Sequence, residues 1–456
     1  MPDTEIYDVV IVGSGPAGIQ ATINLQGYGL KIALLDDSST LGGHIYKEVQ
    51  KNSTKTDFFE QDYLKGFDLI KQINLNKISY INNSYVWNIN PKLEIYYSQQ
   101  GTSYKIKAKK ILIATGSLER PFPVKGWTLP GVIGTTAAQI LLKESLIVKD
   151  DAVFIGSGAL FYYVISQYLD SGAKIKAVID TTPLNNYFKA AKHLPKALLK
   201  FGFFIKALGF FAKFRKHKLK VYHFVDELMF EGDDELKTVV FKKGSKQVKI
   251  DTDIAFIHNG LAPNINLQLQ VGCDYEYSKA TRTVNIKTDE FMQSSVDNIF
   301  VVGDGKSIRG VDVAIVEAKI AANKILNDFN KIQKVTTYQK QLKSHMQIRD
   351  FLNTLYLPHK NFLSPSDDDV IICRCEEVTL KQIKNGLERN CKETNSIKSF
   401  TRCGMGSCQS RFCGLTLLEV ISKHTNTPIE ELKYLKIRSP IKPIGIEEMG
   451  SLVEYE

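Results

Sequence analysis

Residues 7–36 read YDVVIVGSGPAGIQATINLQGYGLKIALLD, which is a hydrophobic strand, a glycine turn, a helix and a second strand. Gly13, Gly15 and Gly18 form the pattern G-x-G-x-x-G where the first strand gives way to the helix. In such a turn the first glycine permits a tight bend, the second lets the backbone approach a pyrophosphate, and the third lets the helix pack close to the strand. Free N–H groups and the helix dipole then face the anion. Asp36 ends the second strand, where an acid accepts hydrogen bonds from an adenosine ribose, so the stretch predicts a dinucleotide-binding domain.

A second unit with the same order of elements begins at residue 151 and reads DAVFIGSGALFYYVISQYLDSGAKIKAVID. Gly156 and Gly158 match the first two glycines, whereas Phe161 takes the third position and should push the helix off the strand. Asp180 stands where the ribose-binding acid is expected. Two interpretations stay open, namely a site for NAD or another adenine nucleotide and a degenerate nucleotide-binding domain retained as a scaffold.

Short motifs elsewhere in the chain distinguish FAD from NAD at the first site. Thr115-Gly116 follows one hydrophobic strand, and Gly303-Asp304 follows another. In this order the three motifs resemble those of flavoproteins with two dinucleotide-binding folds. The resemblance implies that Asp304 hydrogen-bonds the ribityl–phosphate region of FAD.

The same resemblance places Gly42 and Gly43 along the flavin side of the site. A dithiol reductase of this fold needs a cysteine pair after these glycines or in the central domain. No such pair follows Gly42-Gly43, and none lies near Thr135 to Gln139. The sequence therefore excludes a dithiol reductase.

Five cysteines, with Cys391 left aside, fall between positions 373 and 413 of a chain that has seven in all. So few cysteines in so long a chain do not form a disulfide scaffold, and their clustering indicates a metal site in a reducing compartment. Cys373-Arg-Cys375 is followed after 32 residues by Cys408-x4-Cys413. Four thiolates are what a [2Fe–2S] cluster requires.

The spacing resembles the small cluster-binding domain of bacterioferritin-associated ferredoxin. Zinc also accepts four thiolates, but zinc sites favour C-x2–4-C pairs. We favour the cluster over zinc and over inert cysteines. Cys403 could pair with Cys408 sterically, but the length of the gap and the family pattern favour Cys408 with Cys413 as ligands.

Length and composition fit two or three globular domains. The chain has 456 residues, of which 43% are hydrophobic and 24% charged. The net charge of +10 brings no nucleic-acid recognition module with it, so we expect no nucleic acid as a partner. No apolar run reaches the ~18 residues of a membrane span. The N-terminal residues lack the basic region of a signal peptide, and we expect a cytoplasmic protein.

Residues 189–220 hold ten Lys or Arg side chains and no acid among Leu and Phe. This segment could form an amphipathic helix pair on an anionic membrane surface, peripheral at the inner face of the membrane. The alternative is a helical flap over the central domain with a solvated basic face. We favour the flap.

The loop ERPFPVKGWTLPGV at 119–132, the GDG motif and the segment TRCGMGSCQSRFCG at 401–414 make a wider resemblance specific. The chain resembles the α (or A) subunits of heteromeric bacterial flavin dehydrogenases, such as the A subunits of opine oxidases, the B subunits of hydrogen cyanide synthases and the α subunits of dye-linked L-proline dehydrogenases. The resemblance reaches to IRSPIKPIGIEEMGSL at 437–452. It implies a partner, a β subunit that resembles D-amino-acid oxidase.

The expected fold is α/β, with two nested Rossmann-like dinucleotide-binding domains and a small C-terminal α-helical [2Fe–2S] domain. The predicted limits are 1–119 with 252–330 for the split FAD domain, 120–251 for the central domain with its basic insert, 331–368 for a connector, 369–424 for the cluster domain and 425–456 for a tail.

The resemblance implies an FAD-dependent oxidoreductase that is one subunit of a complex. Its substrate would be an amino acid, imino acid or opine oxidised at a C–N bond, and its electrons would leave through FAD and the cluster to an outside acceptor such as a quinone. Two alternatives stay open. One is an NADH-dependent flavin reductase that uses the central domain, and the other is a non-catalytic electron-transfer or assembly subunit. The sequence singles out no catalytic residue.

Overall fold

A seven-stranded sheet forms around the strand Ile6–Val12. This strand is parallel to Ile32–Leu35 on one side and to Thr102–Ile113 on the other. Every residue of Ile32–Leu35 is apolar and buried, and the last three residues of Thr102–Ile113 are too, which is typical of parallel strands covered on both faces. The remaining strands of this sheet are Ser79–Ile81, Ile299–Val301, and the antiparallel pair Glu94–Gln99 and Ser84–Ile89.

A second sheet has five parallel strands with Ala152–Gly156 at its centre. Every residue of that strand is buried. The chain enters this sheet after the first one and then returns to the first at Ile299–Val301, so the two units are nested. The other strands of the second sheet are Val221–Tyr222, Ile175–Asp180, Ala255–His258 and Val132–Gly134.

Helices cover both sheets, as alternating strands and helices require. The structure, a computed structural model, describes residues 5–54, 59–331 and 336–452. Residues 1–4 and 55–58 of the predicted FAD domain, residues 332–335 of the connector and residues 453–456 of the tail lie outside the described residues. The helices are Pro16–Leu25, Val49–Asn52, Gln61–Ile70, Thr135–Ser145, Ala159–Asp170, Leu184–Ala191, Leu194–Ala197, Gly202–Lys216, Asn266–Val271, Val311–Asp328, Thr336–His345, Arg349–Leu355, Leu380–Glu388, Thr394–Thr401, Gly414–Thr425 and Ile446–Gly450.

Small antiparallel sheets join these layers. They are a three-stranded sheet and three two-stranded sheets: Leu228–Glu231 with Thr238–Lys243 and Lys246–Asp251, Ser117–Glu119 with Leu261–Pro263, Tyr275–Ser278 with Thr283–Ile286, and Ile371–Cys373 with Val378–Thr379. The architecture confirms the predicted α/β class with two nested Rossmann-like sheets. The limits of the domains remain predictions.

The C-terminal unit, defined as residues 369–452, packs against the first sheet and its loops. The Trp127 indole N–H donates to the Ile371 carbonyl at 2.8 Å, and the Ile441 N–H donates to the Trp87 carbonyl at 3.1 Å. Lys442 pairs with Asp37 at 2.7 Å, beside the end of a core strand. The unit is therefore held at both of its ends.

Among the described helices, none combines the length and the apolar composition that crossing a bilayer requires.

Candidate functional site

The glycine turn of the first motif has the shape that its sequence predicts. Gly13 has a φ of +106°, and a Cβ there would lie 2.4 Å from the Ala114 carbonyl oxygen. A Cβ on Gly18 would lie 1.8 Å from the Gly13 carbonyl oxygen, so the helix rests directly on the turn. Gly15 is the N-cap of the helix, and a Cβ there would meet no protein atom within 4 Å. Open space at a helix N-terminus is what a pyrophosphate needs.

The acid of the first motif is bound to the same turn. The Asp36 carboxylate accepts hydrogen bonds from the backbone N–H groups of Ser14 and Ser38. The Ser14 hydroxyl is fully buried and has no hydrogen-bond partner within the described part of the chain. A buried polar atom without a partner costs about 1–3 kcal/mol, and a phosphate oxygen bound at this turn would offer the hydroxyl an acceptor. These residues therefore fit the adenosine–pyrophosphate half of a dinucleotide.

The loop of Gly42 and Gly43 closes over this turn. A Cβ on Gly43 would lie 2.9 Å from the Gly15 Cα, so the two loops touch through their backbones. Lys143, from the central helix Thr135–Ser145, is only 1% exposed and donates to the His44 and Ile45 carbonyls at 3.1 and 2.9 Å. Burial lowers the pKa of Lys143 to about 7. The central domain thus holds the glycine loop through one buried amine.

Thr115 and Gly305 bring two further predicted motifs together. A Cβ on Gly305 would lie 2.8 Å from Thr115 Oγ1. The side-chain amide of Gln268 is fully buried and donates to Thr115 Oγ1 and to the Gly305 carbonyl, both at 3.0 Å. Gly116 follows with a φ of +68°, and its carbonyl accepts from the Asn264 N–H at 3.0 Å. Gln268 thereby fixes the relative position of loops that are nearly 200 residues apart in sequence.

Asp304 lies at the N-terminus of the helix Val311–Asp328. Its carboxylate accepts from the N–H groups of Arg309 and Gly310 at 2.9 and 3.0 Å. Burial raises the pKa of Asp304, against the opposing effects of these hydrogen bonds and of the nearby Arg349. A Cβ on Gly310 would lie 2.4 Å from Arg349 Nη2. A cation from the predicted connector therefore faces the Asp304 turn.

Arg349 is a residue that sequence reasoning missed. Its Nε is buried without a hydrogen-bond partner among the described residues, and burial lowers its pKa. Nothing in the local sequence of the helix Arg349–Leu355 indicates that the Arg349 side chain reaches the turn of Asp304, 45 residues earlier. Glu317 was missed for the same reason. It is fully buried, accepts from the Gly303 N–H at 2.9 Å and pairs with Lys306 at 2.7 Å.

The second glycine motif has less open space at its middle glycine, Gly158, than the first has at Gly15. A Cβ on Gly156 would lie 2.2 Å from the His258 carbonyl oxygen, and the His258 ring lies 3.7 Å from a Cβ on Gly158. Phe161 is fully buried and stacks on the His258 ring with centroids 6.4 Å apart. Its ring fills the space between the helix and the sheet that a glycine would have closed.

Asp180 is paired inside the protein. It is 1% exposed, accepts from the Thr182 N–H at 2.9 Å and lies 3.0 Å from His223 Nδ1. His223 therefore competes with a ribose for this carboxylate. Asp36, by contrast, is half-buried at the edge of its site.

Cysteines of the C-terminal unit lie close together, and they include Cys403, which is not one of the predicted ligands. The sulfur atoms of Cys373, Cys403 and Cys413 lie within 4.8 Å of one another, and all three residues are buried. The thiols of Cys403 and Cys413 donate to the Cys373 sulfur, which lowers the pKa of Cys373 to about 2. The Gly404 N–H also donates to that sulfur at 3.5 Å.

Cys375 and Cys408 form a neighbouring pair. A thiol contact with Cys375 contributes to raising the pKa of Cys408, after burial as the larger cause. A Cβ on Gly406 would lie 2.2 Å from the Cys375 Cβ, so only glycine lets this turn approach so closely. Cys375 is exposed. The C-terminal unit thus contains a group of three thiols and a pair of thiols, and thiols grouped in this way can hold a soft metal or an iron–sulfur cluster.

Two family models match the chain. The model described as "Pyridine nucleotide-disulphide oxidoreductase" matches residues 7–318, and the one described as "Sarcosine oxidase A3 domain" matches residues 370–451. The first match covers both nested sheets and supports FAD as the cofactor of the first site. The second covers the described cysteine group.

Relatives match over nearly the whole length. The A subunit of opine oxidase from Agrobacterium tumefaciens (strain Ach5) is 30% identical, with 98% of this chain and 92% of that protein covered. The HcnB subunit of hydrogen cyanide synthase from Pseudomonas protegens is 25% identical, with 95% and 96% covered. The L-proline dehydrogenase structure from P. horikoshii is 21% identical and has a TM-score of 0.73, with 98% of this chain and 80% of that chain covered.

These matches confirm the predicted resemblance and the prediction of a flavin oxidoreductase. The relatives are named as subunits, and this chain covers nearly all of each. The chain belongs to the pyridine nucleotide-disulphide oxidoreductase family and, within it, to the family of the opine oxidase A subunits.

Proposed function

We propose that the chain is the electron-carrying subunit of a heteromeric dehydrogenase or oxidase that acts on the C–N bond of an amino acid, imino acid or opine. The observation that carries this proposal is the presence, in one polypeptide, of an open dinucleotide turn and of two groups of thiols, a group of three and a pair. The similarity to the opine oxidase A subunits adds the class of substrate.

The first site would hold FAD, which supplies two-electron chemistry when bound. Gly13, Gly15 and Gly18 would leave room for the pyrophosphate, and Asp36 would bind the ribose. Asp304 would bind the ribityl–phosphate region. Gly42, Gly43, Thr115, Gly116 and Gly303 would shape the remaining walls, which Lys143 and Gln268 keep in position.

The thiol group would hold a [2Fe–2S] cluster, which supplies one-electron chemistry when bound. The proposed ligands are Cys373, Cys375, Cys408 and Cys413. Cys403 lies among the sulfur atoms and is the one competitor for a place in this set. Cys413 is the N-cap of the helix Gly414–Thr425, whose dipole favours negative charge at the thiolates.

An NADH-dependent flavin reductase is the second candidate. Its support is the backbone turn at Gly156 and Gly158, which retains the form of a nucleotide loop. Against it stand the hydrogen bond between Asp180 and His223 and the buried ring of Phe161. We therefore expect that NADH alone does not bleach the flavin of the purified protein.

The test compares the isolated chain with the chain co-expressed with a D-amino-acid-oxidase-like protein encoded beside it in the genome. Dye reduction is measured with proline, hydroxyproline, glycine, sarcosine and opines as substrates. We expect turnover only from the complex, because no catalytic group is evident around the flavin site in the described part of the chain. Robust turnover by the isolated chain would place the substrate site here. Full activity of a complex that carries the Gly15→Val variant without flavin would indicate an assembly role.

A further inference from the structure

The basic segment 189–220 is fixed on the body of the protein. The Asn186 side-chain amide donates to the Leu355 and Leu357 carbonyls at 3.1 and 2.9 Å, just before this segment. Within the helix Gly202–Lys216, Phe214 is buried and Phe210 packs on Tyr163 with ring centroids 6.1 Å apart. The segment is thus a helical flap, as the sequence favoured.

The outer surface of this flap carries exposed apolar side chains as well as exposed basic ones, and the sequence predicted only the basic ones. Phe201, Ile205 and Leu208 follow one another at i, i+4 and i+7, and their exposed fractions are 59%, 56% and 66%. This spacing places them on one side of the helix. Two lysines turn inward instead, because Lys206 pairs with Asp62 and Lys213 with Asp170, both at 2.6 Å.

The apolar face extends beyond this one helix. Eleven large apolar side chains in residues 184–224 are exposed by more than a third, and we call this set the flap surface. Phe188 and Leu199 are its most exposed members, at 72% and 67%. So many exposed apolar side chains within 41 residues are typical of an interaction site.

The charge of the segment indicates what the flap surface binds. Residues 189–220 carry ten basic side chains and no acidic ones, and the rest of the chain carries 49 of each sign. The whole formal net charge of +10 therefore belongs to these 32 residues. Arg215, Lys216 and Lys218 are exposed at the end of the helix, and no ion pair engages them among the described residues.

We infer that the flap surface docks on the interface of an anionic lipid bilayer. Helices that lie in such an interface bury their apolar side chains at the acyl boundary and direct Lys and Arg to the phosphate layer. Each cation near an anionic membrane adds attraction that salt screens. The 15-residue helix Gly202–Lys216 is about 22 Å long, which suits a shallow contact parallel to the membrane. This inference does not depend on the substrate or on the cofactors.

The test is co-sedimentation of the full-length flavoprotein with vesicles. The wild-type protein should bind vesicles made of equal parts of phosphatidylglycerol and phosphatidylcholine. Its binding should be weaker to vesicles of pure phosphatidylcholine and weaker at high salt. The double variant L199D/L208D should bind about tenfold more weakly or worse, because two carboxylates would enter the interface. A Leu208→Trp variant should show a blue shift of its emission only with anionic vesicles.

The matched control is Ile147→Asp, which changes an apolar side chain that is 55% exposed outside the flap surface. It should bind like wild type, and circular dichroism checks that every variant is folded. The inference is overturned if wild type ignores anionic vesicles at low salt or if L199D/L208D binds them as well as wild type. It is also overturned if L199D/L208D still binds anionic vesicles but no longer binds its companion subunit, since the flap surface would then be a protein interface.

Discussion

Asn266 and Gln268 stand two positions apart at the start of one short helix, and their side-chain amides bind two different sites. Asn266 Nδ2 donates to the Gln409 carbonyl at 2.8 Å, next to Cys408, while Gln268 Nε2 donates to Thr115 Oγ1 and the Gly305 carbonyl at 3.0 Å. The helix Asn266–Val271 therefore joins the proposed flavin walls to the cysteine group.

The two residues can be separated by mutation. Gln268→Ala should weaken FAD binding about tenfold, because it removes the donor shared by the buried Gly305 carbonyl and Thr115 Oγ1, and such a loss costs about 1–3 kcal/mol. Asn266→Ala should leave flavin affinity unchanged and lower the free energy of unfolding by about 1 kcal/mol. Flavin fluorescence titration and denaturant unfolding measure these effects. Equal flavin loss in both variants would contradict separate roles.

Gly15→Val should abolish most flavin binding without unfolding the chain. The Gly15 backbone has a φ of −71°, and the added side chain would enter space that holds no protein atom within 4 Å. The branched side chain would occupy the proposed place of the pyrophosphate. Gly27→Val is the control, because that glycine also faces open space and lies outside the turn. The flavin absorbance of the purified proteins decides the outcome, and a yellow Gly15→Val protein would contradict the site.

Serine at Cys373, Cys375, Cys408 or Cys413 should abolish the rhombic low-temperature EPR signal of the dithionite-reduced protein. Cys403→Ser should leave it largely intact, and Cys391→Ser, outside both thiol groups, is the control. Cys403 is buried with Cys373 and Cys413, whereas Cys375 is exposed. Cys403 is therefore the residue that could take the place of Cys375 as a ligand. Signal loss in Cys403→Ser together with survival in Cys375→Ser would replace the proposed ligand. Zinc without iron after anaerobic purification would contradict the cluster.

Lys143 should make the stability of the protein depend on pH. Its pKa in the folded protein is lowered from 10.5 to about 7, so between these values only the unfolded chain binds the proton. The free energy of unfolding should therefore rise with pH across this range, by up to about 1.4 kcal/mol per unit. Lys143→Met should lose this rise, and the exposed control Lys174→Met should keep it. Denaturant unfolding at pH 7, 8 and 9 measures the slope, and parallel slopes in all three proteins would contradict the prediction.

The sequence was most informative where the chemistry is local. Gly13, Gly18 and Asp36 act within one strand–turn–helix–strand unit, so their spacing alone predicts the turn that the structure has. Arg349 and Gln268 reach their partners only through the tertiary fold, and no local pattern signals such contacts.

The thiol group lies between these two cases. The C-x-C and C-x4-C pairs mark the place, but Cys403 joins Cys373 only because a strand and a distant helix end meet. The flap shows the same limit, since the inward turn of Lys206 and Lys213 depends on acids elsewhere in the chain. The composition of residues 189–220 predicts the charge of the flap, but it does not predict which side chains its outer face exposes.

The contacts of the C-terminal unit give the protein an intrinsic optical signal. Of its two tryptophans, Trp87 accepts the Ile441 N–H at its backbone carbonyl, and Trp127 donates its indole N–H to the Ile371 carbonyl. Indole emission responds to the polarity of its surroundings, so detachment of the unit would change the fluorescence of Trp127. Docking of the C-terminal unit can thus be followed in any unlabelled variant, before a cofactor is added or an activity is measured.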